Sequence, residues 1–214
     1  LASELAYYYA PSTEPKFCVL DRSYCESIVA LEQRCYPSPW SPELIRAEFS
    51  KDVSLRCGLV TDDEIIAYCF NYLVADELHV LNLAVHPTYR ARGFGKKLLI
   101  KVLRHAYSYG ARYATLEVRQ SNYIAKRLYS RLGFEVLGMR KNYYRDNQEH
   151  ALVLQAHLTP EMLGRKLPLI SLLNPLFDAV FHCVYNAPST YPRVGEASPI
   201  RSNRSAEGET ESTN

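Results

Sequence analysis

The stretch that decides the fold runs from Leu83 to Phe134. It begins Leu83-Ala84-Val85-His86-Pro87-Thr88-Tyr89-Arg90-Ala91-Arg92-Gly93-Phe94-Gly95-Lys96-Lys97. After an amphipathic segment it continues as Leu116-Glu117-Val118-Arg119-Gln120-Ser121-Asn122, then Ala125 and Leu128-Tyr129, and closes on Leu132-Gly133-Phe134. A strand carrying Leu83, Ala84 and Val85 runs into Arg90-x-x-Gly93-x-Gly95, and a helix opens directly behind the glycines. Two glycines remove Cβ atoms where a ligand must lie on the backbone. The first helical turn leaves N–H groups without intrahelical acceptors, and the helix dipole adds to their pull on an anion. A phosphate or pyrophosphate is therefore predicted at Ala91, Arg92, Gly93, Phe94, Gly95 and Lys96. Alone, a Gly-x-Gly before a helix is also the mark of an ordinary tight turn.

Working outward, Leu98, Leu99, Val102, Leu103 and Ala106 fall on one face of the helix behind the glycines. Tyr113–Val118 reads as a strand, and a right-handed crossover through that helix makes it parallel to Leu78–Val85. The next helix puts Ala125, Leu128, Tyr129 and Leu132 on one side. Upstream, Phe17–Leu20 reads as a short strand. Ser23-x-x-Glu26 predicts a capping box opening a helix to about Arg34. Ser41 caps a second helix with Pro42 in its first position. Leu55–Val60 and Ile65–Val74 predict one hairpin, Glu135–Tyr143 and His150–Leu158 another. The order predicts an α/β fold, a mixed and mostly antiparallel sheet with helices on both faces.

The chain has 214 residues, 47% of them hydrophobic, and a formal net charge of +2. That length predicts one domain plus tails: a flexible arm over 1–16, a folded domain over 17–158, an apolar helical extension over 159–185 and a disordered tail over 186–214. So small a net charge predicts no direct nucleic-acid partner. Residues 1–16 lack the basic region and apolar run of a secretory signal. Six cysteines show no zinc spacing, which predicts no metal and a reduced, cytoplasmic setting. The apolar run Leu167–Tyr185 is too short and interrupted to span a bilayer. Its stripe of Leu176, Val180 and Val184 predicts docking on protein rather than membrane.

The two central blocks together resemble the GNAT superfamily of acetyl-CoA-dependent N-acetyltransferases. Pro39-Trp40-Ser41, Glu117-Val118-Arg119-x-Ser121-Asn122 and Arg140-Lys141-Asn142-Tyr143-Tyr144 bring the chain nearest to the RimI-type branch. Members of that branch acetylate the N-terminal alanine of a small-subunit ribosomal protein. The resemblance spans about Phe17 to Leu158. It implies a GNAT fold in which two parallel strands splay apart, with acetyl-CoA as co-substrate and a protein N-terminal peptide as partner. It implies that Leu83, Ala84 and Val85 hold the pantetheine arm and thioester by their backbone, and that Asn122 touches the same arm while capping its helix. It makes Glu117 the general base and Tyr129 the acid that protonates the leaving thiolate. Trp40, Tyr143 and Tyr144 become candidates for substrate binding.

Each role has a plainer reading. Glu117 is also explained as a strand carboxylate paired with Arg119, Tyr129 as a core tyrosine whose hydroxyl needs a partner, and Trp40 as a packing residue. His86 reads as part of a His-Pro turn. The basic pairs Arg90/Arg92 and Lys96/Lys97 read as attraction for coenzyme phosphates. Two other functions stay open: acetylation of lysine side chains or a small amine, and a non-catalytic module that binds acetyl-CoA.

Overall fold

The structure, a computed structural model, describes residues 14–62 and 64–164. The expectations for residues 1–13 and for the apolar extension and tail beyond Gly164 lie outside the described residues. Seven strands form one sheet in the order β1-β2-β3-β4-β5-β7-β6. They are β1 (Lys16–Val19), β2 (Ser54–Val60), β3 (Ile65–Val74), β4 (Glu77–Val85), β5 (Tyr113–Arg119), β6 (Glu135–Tyr144) and β7 (Glu149–His157). Every neighbouring pair is antiparallel except β4 and β5. Four helices join them: α1 (Cys25–Cys35), α2 (Pro42–Glu48), α3 (Phe94–Ser108) and α4 (Tyr123–Ser130). The predicted fold class is the observed one.

Strand alternation sends side chains to two cores, one on each face. On one face α3 buries Leu98, Leu99, Val102 and Leu103 completely against Cys57, Leu59, Ala67, Cys69, Leu78 and Leu116. Each such side chain contributes about 1.5–3 kcal/mol, so the helix behind the glycines is firmly seated. On the other face Ile28, Leu31 and Cys35 of α1 and Ile45 of α2 pack on Tyr68, Phe70 and Ala84. The described cysteines 18, 25, 35, 57 and 69 are all free thiols. The first core continues past the last strand: Leu163 is buried, and the Arg104 guanidinium donates to its carbonyl at 2.6 and 2.9 Å. Near the start of the described chain, Pro15 is buried and Glu14 pairs with Lys97 of α3.

The start of α1 differs from expectation. Asp21, not Ser23, is the capping acceptor: it takes the Ser23 N–H at 2.8 Å and the Ser23 hydroxyl at 2.5 Å. A single 3-10 turn over Arg22–Tyr24 follows, and Glu26 reaches Arg46 of α2 at 2.9 and 3.0 Å instead of closing a capping box. Asp21 sits two residues ahead of Ser23 and its carboxylate is the stronger acceptor. At α2 the expectation holds, with Ser41 Oγ accepting the Leu44 N–H and Pro42 first in the helix.

Candidate active site

The site begins where the only parallel pair among the described strands comes apart. β4 and β5 are in register from Glu77↔Tyr113 to Val80↔Leu116, and no pairing follows. Beyond Val80 the two strands diverge. A shift in register between Phe70 and Asn71 leaves Leu81 unmatched on β4, which bends the strand there. His86 N–H donates to Ile66 O at 2.8 Å. By the alternation of an antiparallel ladder, Ala84 is then in a bonded pair with Tyr68, and the N–H and C=O of Leu83 and Val85 point away from β3 into the gap. The three residues predicted to line the acyl arm thus differ: Leu83 and Val85 face the gap with their backbone, while Ala84 spends its backbone on the sheet.

One carbonyl in the gap already has a donor in Tyr36, whose hydroxyl reaches Leu83 O at 2.6 Å. The other, Val85 O, takes Arg90 Nε at 3.1 Å and the Cys35 thiol at 3.4 Å. Arg90 also donates to Cys35 O at 3.0 Å. This revises the expectation that Arg90 attracts phosphate: its guanidinium ties the end of α1 to the end of β4. The Arg92 guanidinium lies over the Tyr89 ring at 5.5 Å. His86 has the turn role expected of it, with Nδ1 2.8 Å from the Thr88 hydroxyl and Nε2 3.2 Å from Arg34.

At the start of α3, Gly93 is the N-cap with φ +82°, and Ala91 has φ +60°. The amides of Phe94, Gly95 and Lys96 are the first three of the helix and have no intrahelical acceptor. No acidic residue occupies that turn. The two glycines have different reasons. A Cβ on Gly93 would meet nothing within 4 Å, so Gly93 is there for its left-handed backbone and leaves open space above the helix end. A Cβ on Gly95 would point inward, 3.4 Å from Val85 Cγ2 and 4.0 Å from Leu128 Cδ2. A Cβ on Gly95 would thus lie in van der Waals contact with β4 and α4, on the inner side of the helix end.

Glu117 stands on β5 with its side chain 24% exposed, and Oε1 is 3.1 Å from Arg140 Nη2 of β6. The predicted partner Arg119 is engaged elsewhere. It binds Asp146 at 2.7 Å and Glu149 at 3.3 Å, and its guanidinium stacks 3.8 Å from the centre of the Tyr144 ring. The two residues are two apart on one strand and share a face, but each meets a different part of the β6–β7 hairpin. Glu149 also accepts the Ser121 N–H at 2.6 Å, and these bonds hold its carboxyl at about 2, well below the usual range. The bonds to Arg119 and Ser121 clamp the hairpin turn over the end of β5.

Tyr129 is 8% exposed and packs against Phe134 with ring centres 5.7 Å apart. Burial pushes its ionisation well up, and the neighbouring Cys69 and Tyr144 add to the shift. Its hydroxyl makes no hydrogen bond among the described residues. Tyr143 and Tyr144 meet edge to face at 5.2 Å. Burial raises both, Tyr144 to about 12, and Glu117 is close enough to contribute to each. Glu117 thus lies near Tyr143 and Tyr144, and Tyr144 near Tyr129. Asn122 caps α4, its side-chain oxygen taking the Ala125 N–H at 3.1 Å. Trp40 stacks on Phe70 at 6.0 Å and belongs to the core beneath α1 and α2, as the packing reading has it. Arg140 and Tyr36 escaped the reading of the sequence. Arg140 lay inside a quoted motif, but cross-strand partners depend on register, which bulges in β6 set. Among the described residues no cluster of three or more His, Cys, Asp or Glu side chains is placed to hold a metal, and no helix is long and apolar enough to cross a membrane.

A splayed parallel pair and a glycine-capped helix end, with a half-buried carboxylate on β5 and a buried tyrosine on α4, fit an acetyl-CoA-dependent N-acetyltransferase. The chain belongs to the acetyltransferase (GNAT) family, which matches residues 25–134. Among similar proteins is the ribosomal protein bS18-alanine N-acetyltransferase of Haemophilus ducreyi, 36% identical over 132 residues, covering 60% of this chain and 90% of that protein. The enzyme of the same name from Escherichia coli K12 is 33% identical over 126 residues, covering 58% and 84%. A crystal structure of the ribosomal-protein-S18-alanine N-acetyltransferase from Escherichia coli superposes with a TM-score of 0.64 at 29% identity, over 72% of this chain and 99% of that one. Arabidopsis thaliana NAA60 in complex with acetyl-CoA shares the fold, with a TM-score of 0.62 at 18% identity over 67% and 98%.

Proposed function

We propose that this enzyme moves an acetyl group from acetyl-CoA to the free α-amine at the N-terminus of a protein, an alanine-starting ribosomal protein being the acceptor. The observation that supports this is the gap itself, which the Leu83 and Val85 N–H groups of β4 face where the pairing with β5, the strand of Glu117, ends. The names of the relatives support the acceptor.

The residues fit the donor. First-turn amides of α3 and the open space above Gly93 suit a pyrophosphate. Leu83 and Val85 present N–H groups to the acyl arm, and Asn122 lies at the head of the helix beside it. The thioester supplies an activated acetyl group. Glu117 takes the proton that an ammonium must lose before its nitrogen can attack, directly or through a water. A gap-facing N–H that meets the carbonyl oxygen as it becomes negative is worth roughly 3–4 kcal/mol. Tyr129, held protonated by its burial, gives its proton to the departing sulfur. Tyr143 and Tyr144 border the acceptor side and offer hydroxyls to the first backbone groups of a peptide.

The test is acetyl transfer by the full chain to three acceptors. These are peptides with a free N-terminal alanine, the same peptides N-blocked and carrying one lysine, and small amines. Transfer to the free alanine peptides alone is expected. Preference for lysine or for a small amine would reject the acceptor assigned here, and acetyl-CoA binding without transfer to any would reject catalysis.

A further inference from the structure

Arg140 has a partner but no place in the chemistry above. Glu117 on β5, Val153 on β7 and Gly138 on β6 form one row across the sheet, and Arg119, Ala151 and Arg140 form the next row on the same face. Arg119 turns away to Asp146, Glu149 and the Tyr144 ring. Gly138 puts no side chain into the row of Glu117, and the space at its Cβ position is open. Arg140 reaches across β7 instead, and Nη2 comes to 3.1 Å from Glu117 Oε1. Its guanidinium also lies 5.7 Å from the centre of the Tyr143 ring. A fixed positive charge therefore touches both the base and a tyrosine of the acceptor side.

That is where a proton has to leave. An ammonium brought to Glu117 also comes within reach of the guanidinium, and a like charge at that range disfavours the protonated amine. The same charge favours the ionised form of Glu117. The two effects have one sign: whether the proton sits on the amine or on the carboxylate, Arg140 loosens it. The side chains of the pair are 47% and 24% exposed, so water screens the effect without cancelling it.

Neighbouring groups do not take over this role. Burial holds the protons on Tyr143 and Tyr144 of β6, and on Tyr36 and Cys35, which bond the gap-facing carbonyls of β4. Arg90 is tied to Val85 O and Cys35 O. Arg119 is paired with Asp146 and Glu149. His150 of β7 adjoins Ala151 and so lies on the opposite face.

We propose that Arg140 is a positioning residue for acetyl transfer, whose charge keeps Glu117 ionised and weakens the hold of the site on the acceptor's proton. The inference rests on the acetyl-transfer reading of the site.

The test is single-turnover acetyl transfer by the full chain to a saturating free-N-terminal alanine peptide, followed from pH 6 to 9 in wild type, Arg140→Met and Arg140→Lys. The acid limb of that rate reports groups in the bound complex. In Arg140→Met the limb should move to higher pH by about half to one unit, so the rate at the acid end falls about three- to tenfold while the alkaline rate stays within about threefold. Arg140→Lys keeps the charge and should keep the limb within about 0.3 unit of wild type. A role in packing alone would lower the rate by one factor at every pH. An Arg140→Met profile with its limb in the wild-type place or at lower pH would overturn the proposal, and so would an equal displacement in Arg140→Lys. If Arg140→Met does not fold, Arg140→Gln takes its place with the same outcomes. A wild-type chain that acetylates no peptide would overturn the reading of the site and this inference with it. An unmoved limb in an active enzyme strikes only the inference.

Discussion

Alanine at Gly93 should cost stability and alanine at Gly95 should not, although the glycines are two residues apart. Gly93 has φ +82° and empty space around its Cβ position, so Gly93→Ala meets no clash and carries only the backbone penalty. Holding an L-residue in the left-handed region costs about 1–2 kcal/mol. For a domain of this size that is roughly 2–8 °C in melting temperature, at about 2–4 °C per kcal/mol. Gly95 lies inside α3 with an ordinary backbone, where alanine is favoured by up to about 1 kcal/mol. Its new methyl would sit 3.4 Å from Val85 Cγ2, a tight contact that offsets the gain. Gly95→Ala should therefore melt within about 2 °C of wild type, since the opposing terms are each near 1 kcal/mol. The assay is thermal unfolding with and without saturating acetyl-CoA. Gly93→Glu adds the ligand arm: its carboxylate would stand in the open space at the helix end, and the stabilisation by acetyl-CoA should vanish while the apo protein still unfolds cooperatively. A Gly93→Ala protein as stable as wild type would refute the left-handed cap. Full stabilisation of Gly93→Glu by acetyl-CoA would refute the phosphate site.

Three further outcomes are expected. Glu117→Gln should lower kcat by on the order of 100- to 10,000-fold with acetyl-CoA affinity retained; a variant at full speed across pH 6–9 would make Glu117 no more than the ion-pair partner of Arg140. Tyr129→Phe keeps the packing on Phe134, so the melting temperature should hold while turnover falls, and unchanged turnover would return Tyr129 to the core. Burial lowers the pKa of His105 on α3. The folded state then binds the proton less readily than the unfolded one, so stability is intact above about pH 6.5 and falls as pH drops below it. His105→Phe should flatten that loss in melts run between pH 7.5 and 5, and an unchanged slope would assign the loss to other groups.

Much of this was legible in the chain. The α3 stripe, the parallel crossover and the cap on α2 followed from spacing and from Ser41-Pro42, because each depends on residues within a turn or two. What was hidden depends on register. Bulges in β6 decide that Arg140, not Arg119, faces Glu117, and no local pattern encodes a bulge. Asp21 displaced Ser23 as a cap because its carboxylate takes both the N–H and the hydroxyl of Ser23, and the Ser23 side chain becomes a donor instead of a cap. What a Cβ on Gly95 would meet, Val85 and Leu128, is decided by packing between elements that no local pattern around the glycine shows.

β6 carries a final consequence. It forms the outer border of the sheet, and Val136, Leu137 and Met139 are 62%, 60% and 46% exposed along it. A border strand of this length, rich in apolar side chains, would ordinarily invite another chain to add to the sheet and seed aggregation. Two interruptions work against that: the register shifts between Val136 and Gly138 and again between Arg140 and Tyr144. An incoming strand would find its ladder broken twice, with Arg140 and Lys141 and their charge at the second break. The same irregularity that brings Arg140 to Glu117 thus makes this border, among the described residues, a poorer template for an added strand.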